Sequence, residues 1–305
     1  MVDAAKSGAK FLVGAQVDRL LFCRPDERAP TAMTDSEINM YYPNTHRTKC
    51  FGALLTLEDR AKAVVLASNS VVVSGGSINS PAILLRSKIR NPNIGRNLHL
   101  HPCTYVTAYF DEQINPWEGA IMTAVSVIQR CQGLLKADEQ VSNVCENRDG
   151  THHGAKLEVC MSFPGGAAAG PQVWESSAEH KSRMLEYSHS MTLITLVRDR
   201  DSGSVVIDAG GHPRIKYDVS DYDAASALRA VKAGAETMLA AGARRITTTQ
   251  AGVPSYIAEP GHQGLVDPKW LAWIARVEAA GAKPGWTTYA SAHQMGTYVK
   301  YTHME

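Results

Sequence analysis

Apolar residues along this chain follow two rhythms, and each predicts a kind of element. Helical spacing is clearest from Asp221 to Ala241. There Ala224, Leu228, Val231, Ala235 and Leu239 share one face, Ser220 and Asp223 stand at capping-box spacing, and Gly242 supplies a stop. Lys269 to Ala279, carrying Trp270 and Trp273, repeats the pattern, and residues 2 to 8 read as a short helix ended by Gly8. β-Branched or alternating runs predict strands at Lys10–Val13, Val17–Phe22, Phe51–Leu57, Ala61–Val73, Thr104–Phe110 and Met191–Val197. Gly203 to Tyr217 reads as a hairpin turning at Gly210 and Gly211. Cys23 to Cys50 reads as a long connection, and Gly165 to Gly170 as a glycine and alanine loop.

One step joins the two rhythms. Val71-Val72-Val73 reads as a parallel strand, Gly75 and Gly76 allow a close turn, and Ser80 followed by Pro81 has the chemistry of an N-cap and first helical residue. Such a step suits a dinucleotide lying across the helix start, although many α/β proteins have one with no ligand. Helices and sheets together predict an α/β (α+β) chain, with the pattern changing near Pro102 to a second, mainly sheet-forming domain.

Composition narrows the function classes. A chain of 305 residues, 44% hydrophobic and 20% charged, is an ordinary globular sequence, and a formal net charge of +1 gives no field for nucleic acid. Six cysteines at wide, irregular spacing lack the Cys-x-x-Cys pairs of a zinc or thiol redox site, so free thiols in a reducing, intracellular compartment are expected. No signal peptide is apparent at the N-terminus. The longest apolar stretch, Ala63 to Val73, is broken by Ser68, Asn69 and Ser70 and falls short of a membrane span.

Candidate chemistry centres on Ser291-Ala292-His293-Gln294-Met295-Gly296-Thr297, where an imidazole beside a tight turn could accept a hydroxyl proton. A single histidine among eleven is more often structural than catalytic. His99 and His101 alternate along an extended segment, but no carboxylate or cysteine stands at ligand spacing, so no metal site is expected. Arg198-Asp199-Arg200-Asp201 is open to reading as a solvated charged turn.

Taken in order, the Val71–Pro81 step, Ile94-Gly95-Arg96-Asn97-Leu98-His99-Leu100-His101-Pro102 and the His293 string resemble the flavin-dependent glucose/methanol/choline (GMC) oxidoreductases. Asn91–Pro102, Gly154-Ala155-Lys156-Leu157-Glu158 and Arg198–Gly203 resemble the long-chain fatty alcohol oxidases within that family. The resemblance runs from Ala4 to about Thr297. It implies a partial FAD-binding Rossmann-like domain over residues 1–102, a mainly antiparallel-sheet substrate domain over 103–285, and the start of a catalytic segment at 286–305. It further implies FAD as cofactor, with Val17, Gly75, Gly76 and Ser80 binding it, His293 as base, a long-chain fatty alcohol as substrate and oxygen as acceptor. For the full-length protein it implies a membrane-associated or peroxisomal setting.

The pattern departs at Lys88 and Arg90, where the family favours a Ser-Gly-x-Gly ending. No Gly-x-Gly-x-x-Gly occurs in the chain, and the likeness stops at Tyr298–Glu305, so the chain reads as incomplete at both ends. The alternative expectation is a catalytically inactive fragment or pseudoenzyme unable to hold FAD.

Overall fold

A computed structural model describes residues 1–24, 26, 49–120, 122–128, 153–161, 163–169 and 173–297. Most of the Cys23–Cys50 connection, Cys131, Cys145 and the Tyr298–Glu305 tail lie outside the described residues. The chain mixes helices with antiparallel sheets and divides into two compact units. The first holds Met1–Leu98, Ser202–Tyr217 and the segment from Gln294 onward; the second holds His99–Asp201 and Asp218–His293.

In the first unit, strands Ala15–Cys23, Lys49–Leu57 and Lys62–Leu66 form one antiparallel sheet, whose inner residues Leu21, Cys23, Phe51 and Leu54 cluster out of water. A second sheet pairs Pro213–Lys216 with Gly203–Ile207 and then Arg96–Leu98, the first two being the expected hairpin. The Gly76–Arg86 helix packs on both sheets. Arg86, in its last turn, donates to three carbonyls: Val17 (3.0 Å), Asp18 (2.6 Å) and Gly211 (2.9 Å). One guanidinium thereby ties a strand, a helix and a hairpin turn together.

The second unit is built on a six-stranded antiparallel sheet. Its order is Tyr256–Ile257, Arg245–Thr248, Cys103–Tyr109, Ser190–Arg198, Gly154–Cys160 and Met122–Ile128. The Asp221–Ala240 helix lies across one face, capped by Ser220, whose Oγ accepts from Asp223 N as the spacing predicted. Small residues let it approach closely: a Cβ at Gly234 would stand 3.3 Å from Leu157 and 3.4 Å from Val106. The Pro268–Ala280 helix is capped by Asp267 and seals the core end with Trp270 and Trp273 against Tyr256, at ring separations of 5.0 and 5.7 Å. Losing a buried ring of this size costs about 3–5 kcal/mol.

Four local expectations are corrected. Ser80 is not an N-cap. The helix begins at Gly76, so Ser80 and Pro81 lie inside it and Ser80 is fully buried. Pro81 has no N–H for the carbonyl four residues back, Ser77, and the Thr297 hydroxyl donates to that carbonyl instead at 2.6 Å. With the orphaned acceptor satisfied, a helix can run through the proline. Val71–Val73 is not a strand, and every strand ladder among the described residues is antiparallel. The pairing ends at Leu66 and the following polar residues turn the chain away, leaving Val72 82% exposed. Lys10–Val13 likewise lies in no strand among the described residues. The glycine and alanine stretch forms a short helix, Pro164–Ala169, because Pro164 suits a first helical position and three alanines follow.

The departure at Lys88 has a structural meaning. Lys88 N donates to Leu85 O and Ile89 N to Leu84 O, a Schellman closure, and Lys88 takes the left-handed φ of 55° that such a closure requires. A side chain there costs about 1–2 kcal/mol. Lys88→Gly is therefore expected to raise stability by about 1 kcal/mol in urea unfolding, with the helix unchanged by circular dichroism.

Candidate functional site

Two clusters hold the residues singled out from the sequence, one in each unit. In the first unit, Gly75 precedes the Gly76–Arg86 helix and no side chain caps the first turn. Gly76 has a φ of 78° and open space where a Cβ would stand, so a ligand atom can come close to the backbone. Uncapped helical N–H groups and the positive end of the helix dipole favour an acceptor there. Ser77 is held from two sides, its Oγ donating to Gln294 O (2.9 Å) and its carbonyl accepting from Thr297, which is 2% exposed. Ser80 Oγ has no hydrogen-bond partner although fully buried, and a Cβ at Gly75 would lie 3.5 Å from it. A buried hydroxyl left unpaired is an invitation to a polar ligand atom. Val17 lends its carbonyl to Arg86, and a carbonyl retains a second lone pair.

In the second unit, residues 100–103 run antiparallel to 290–293. Cys103 N donates to Ala290 O (2.8 Å), Ala290 N to Cys103 O (2.9 Å), and Ser291 Oγ to Leu100 O. His101 Nδ1 bonds His293 O at 3.0 Å, and the two rings meet edge to face at 6.4 Å. The buried carboxylate of Asp199 accepts the N–H of Leu100 (3.0 Å) and of His101 (3.3 Å), and His99 Nδ1 lies 3.6 Å from it. His293 itself is exposed, as a base must be to meet a substrate.

The sheet face opposite the Asp221–Ala240 helix carries polar groups in register. Tyr105, Ile194 and Glu158 form one cross-strand row, and Thr107, Thr192 and Cys160 the next. Burial, and then the charge of Glu158, push the Cys103 thiol up to about 12, so it stays protonated at neutral pH and is no nucleophile. Burial raises the Tyr105 and Cys160 groups in the same direction.

Gly75 and Ser80 are thus brought together, Val17 is tied to their helix through Arg86, and His293 stands in the second unit. Sequence reasoning missed Ser77, Thr297, Asp199 and the role of His101. A proline inside a helix signals a carbonyl in need of a donor, but nothing local names Thr297 as that donor. His99 and His101 turn to different partners, and among the described residues no three metal-ligating side chains gather.

Residues 1–103 match the family model of the GMC oxidoreductases. That stretch is similar to the GMC oxidoreductases. Along 97% of its length the chain is 28% identical to long-chain-alcohol oxidase FAO3 of Arabidopsis thaliana, and over another 97% span 27% identical to FAO4B of the same plant. It covers only 36% of each of those proteins. An uncharacterised GMC-type oxidoreductase of Mycobacterium tuberculosis is 25% identical over 87% of the chain and 35% of its own length. Among solved structures, the formate oxidase of Aspergillus oryzae RIB40 is 13% identical with a TM-score of 0.48, covering 81% of this chain and 48% of that one.

Thr297→Val keeps the shape of the contact with the Gly76–Arg86 helix and deletes its hydroxyl. It is expected to cost about 1 kcal/mol in urea unfolding, because the part-buried Ser77 carbonyl loses its donor.

Proposed function

We propose that this chain is part of an FAD-dependent oxidase of long-chain primary alcohols, in which residues 1–102 serve the cofactor and residues 103–285 the substrate. The similarity to long-chain-alcohol oxidases carries the reading, since it extends over 97% of the chain and so takes in both the glycine-led helix and the His293 segment. The first-unit residues fit such a cofactor in kind. An uncapped helix start, a glycine with open space beside it and an orphaned buried Ser80 hydroxyl offer two donors and a close approach to a group rich in phosphate and ribose oxygens. Gly75, Gly76, Ser80 and the Val17 backbone would hold it.

Bound FAD supplies two-electron redox chemistry, with oxygen as the final acceptor. His293 would take the hydroxyl proton of the alcohol, and the bound flavin would be the two-electron acceptor for the hydride lost from the carbinol carbon, leaving an aldehyde. Tyr105, Ile194 and Thr192, half-buried on the sheet face away from the helix, offer an amphipathic surface for the substrate. Long alkyl chains partition into bilayers at about 0.8 kcal/mol per methylene, which suits a membrane-associated or peroxisomal setting. No helix among the described residues is long and apolar enough to cross a membrane.

In a flavin-loaded protein containing this chain, His293→Ala is expected to keep its flavin and lose alcohol-dependent flavin reduction by about 100-fold or more in anaerobic stopped-flow. Equal rates would remove His293 from the chemistry.

The second reading, a non-catalytic polypeptide, is favoured by the missing Gly-x-Gly-x-x-Gly, which leaves the pyrophosphate without its usual cradle of N–H groups. The 305-residue chain alone is therefore expected to lose FAD during gel filtration. A yellow protein peak that makes peroxide from a fatty alcohol would favour the enzyme for this polypeptide itself.

A further inference from the structure

We propose that His101 is a positioning residue that sets the orientation of His293, an inference that rests on the reading of His293 as the base. The contact fixes its own chemistry. A carbonyl oxygen only accepts, so the 3.0 Å bond to His293 O requires that His101 Nδ1 carry the hydrogen. Holding that carbonyl fixes the peptide plane after His293, and with it the backbone ψ from which the His293 side chain projects.

The geometry is maintained at a cost. His101 has a left-handed φ of 48°, a conformation that costs energy for any residue with a side chain, although His takes it more often than most. The Asp199 carboxylate overcomes this by accepting the N–H groups of Leu100 and His101 from a buried position. The Ser291 bond to Leu100 O and the two Cys103–Ala290 bonds set the register of the opposite strand. Strain held in place by a buried carboxylate, and spent on aiming one ring at one carbonyl, points to positioning, whereas a space-filling histidine has no need of it.

Two substitutions separate the ring from the backbone. His101→Gly accepts the left-handed φ but removes the donor. His101→Asn also tolerates that φ and places an amide N–H where Nδ1 stood. Hydrogen exchange of the 305-residue chain is the first readout. Amides over 290–293 are expected to exchange about tenfold faster in His101→Gly and at nearly the parental rate in His101→Asn, with the sheet amides unchanged in both. Unchanged exchange over 290–293 in His101→Gly would overturn the proposal.

In the flavin-loaded protein, His101→Gly is expected to lower kcat about tenfold with KM altered less than about threefold, and His101→Asn to restore most of it. Should His293→Ala leave flavin reduction intact, the base reading fails, while the exchange result still decides whether His101 holds the loop. A kcat unchanged in His101→Gly despite faster exchange would overturn the link to catalysis.

Discussion

A helix that passes through a proline must find another donor for the carbonyl the proline leaves behind. Here that carbonyl belongs to Ser77 and the donor is the hydroxyl of Thr297, which lies 220 residues further along the chain. The bond explains where the Gly76–Arg86 helix can begin, since without it the stable start is at Pro81. An earlier start places Gly75 and Gly76 at the exposed positive end of the helix and draws Ser80 into the interior with its hydroxyl unpaired. The features that make this helix start a candidate ligand site all follow from the repair of one backbone group.

The elements most legible in the sequence are those whose signals are local. Asp221–Ala240 and Pro268–Ala280 carry their own caps and apolar faces, and no distant contact was needed to bound them. Strands are different, because a β-branched run becomes a strand only where a partner exists. Phe51–Leu57 has strand neighbours on both sides although only Thr56 in it is β-branched, whereas the all-valine Val71–Val73 lies in no strand. Ser80-Pro81 misled for a related reason: its local chemistry favours a helix start, and a tertiary hydrogen bond to the Ser77 carbonyl, worth about 1 kcal/mol, outweighs that preference.

The site was legible as a set of residues and illegible as an arrangement. Glycines after an apolar run, and a histidine before a Met-Gly-Thr turn, stand out because few residue types can do their chemistry. What holds them does not stand out. His101 reaches His293 across 192 residues, and Asp199 reaches Leu100 across 99, so each looked in the sequence like part of a histidine pair or a charged turn. Asp199 shows how composition misleads, for it sits within the alternating run Arg198–Asp201 yet is buried, its carboxylate spent on two backbone N–H groups.

Strain is gathered in the same part of the chain. Between Lys88 and His101, three residues with side chains take left-handed φ values: Lys88 at 55°, Asn97 at 60° and His101 at 48°. Gly95, at 76°, admits no side chain, since a Cβ would stand 2.1 Å from Val205 O. Asn tolerates this region well and Gly is at ease in it, so the cost falls mostly on Lys88 and to a lesser degree on His101. The two are offset differently. At Lys88 the gain is local, two backbone bonds that close a helix, and glycine would serve as well or better. At His101 glycine would relieve the backbone but abolish the bond to His293 O, so the strain there secures something only a donor-bearing side chain provides. A position that stays strained although an unstrained residue exists, and whose strain delivers one polar contact to the candidate base, ties the turn's geometry to the chemistry proposed for it.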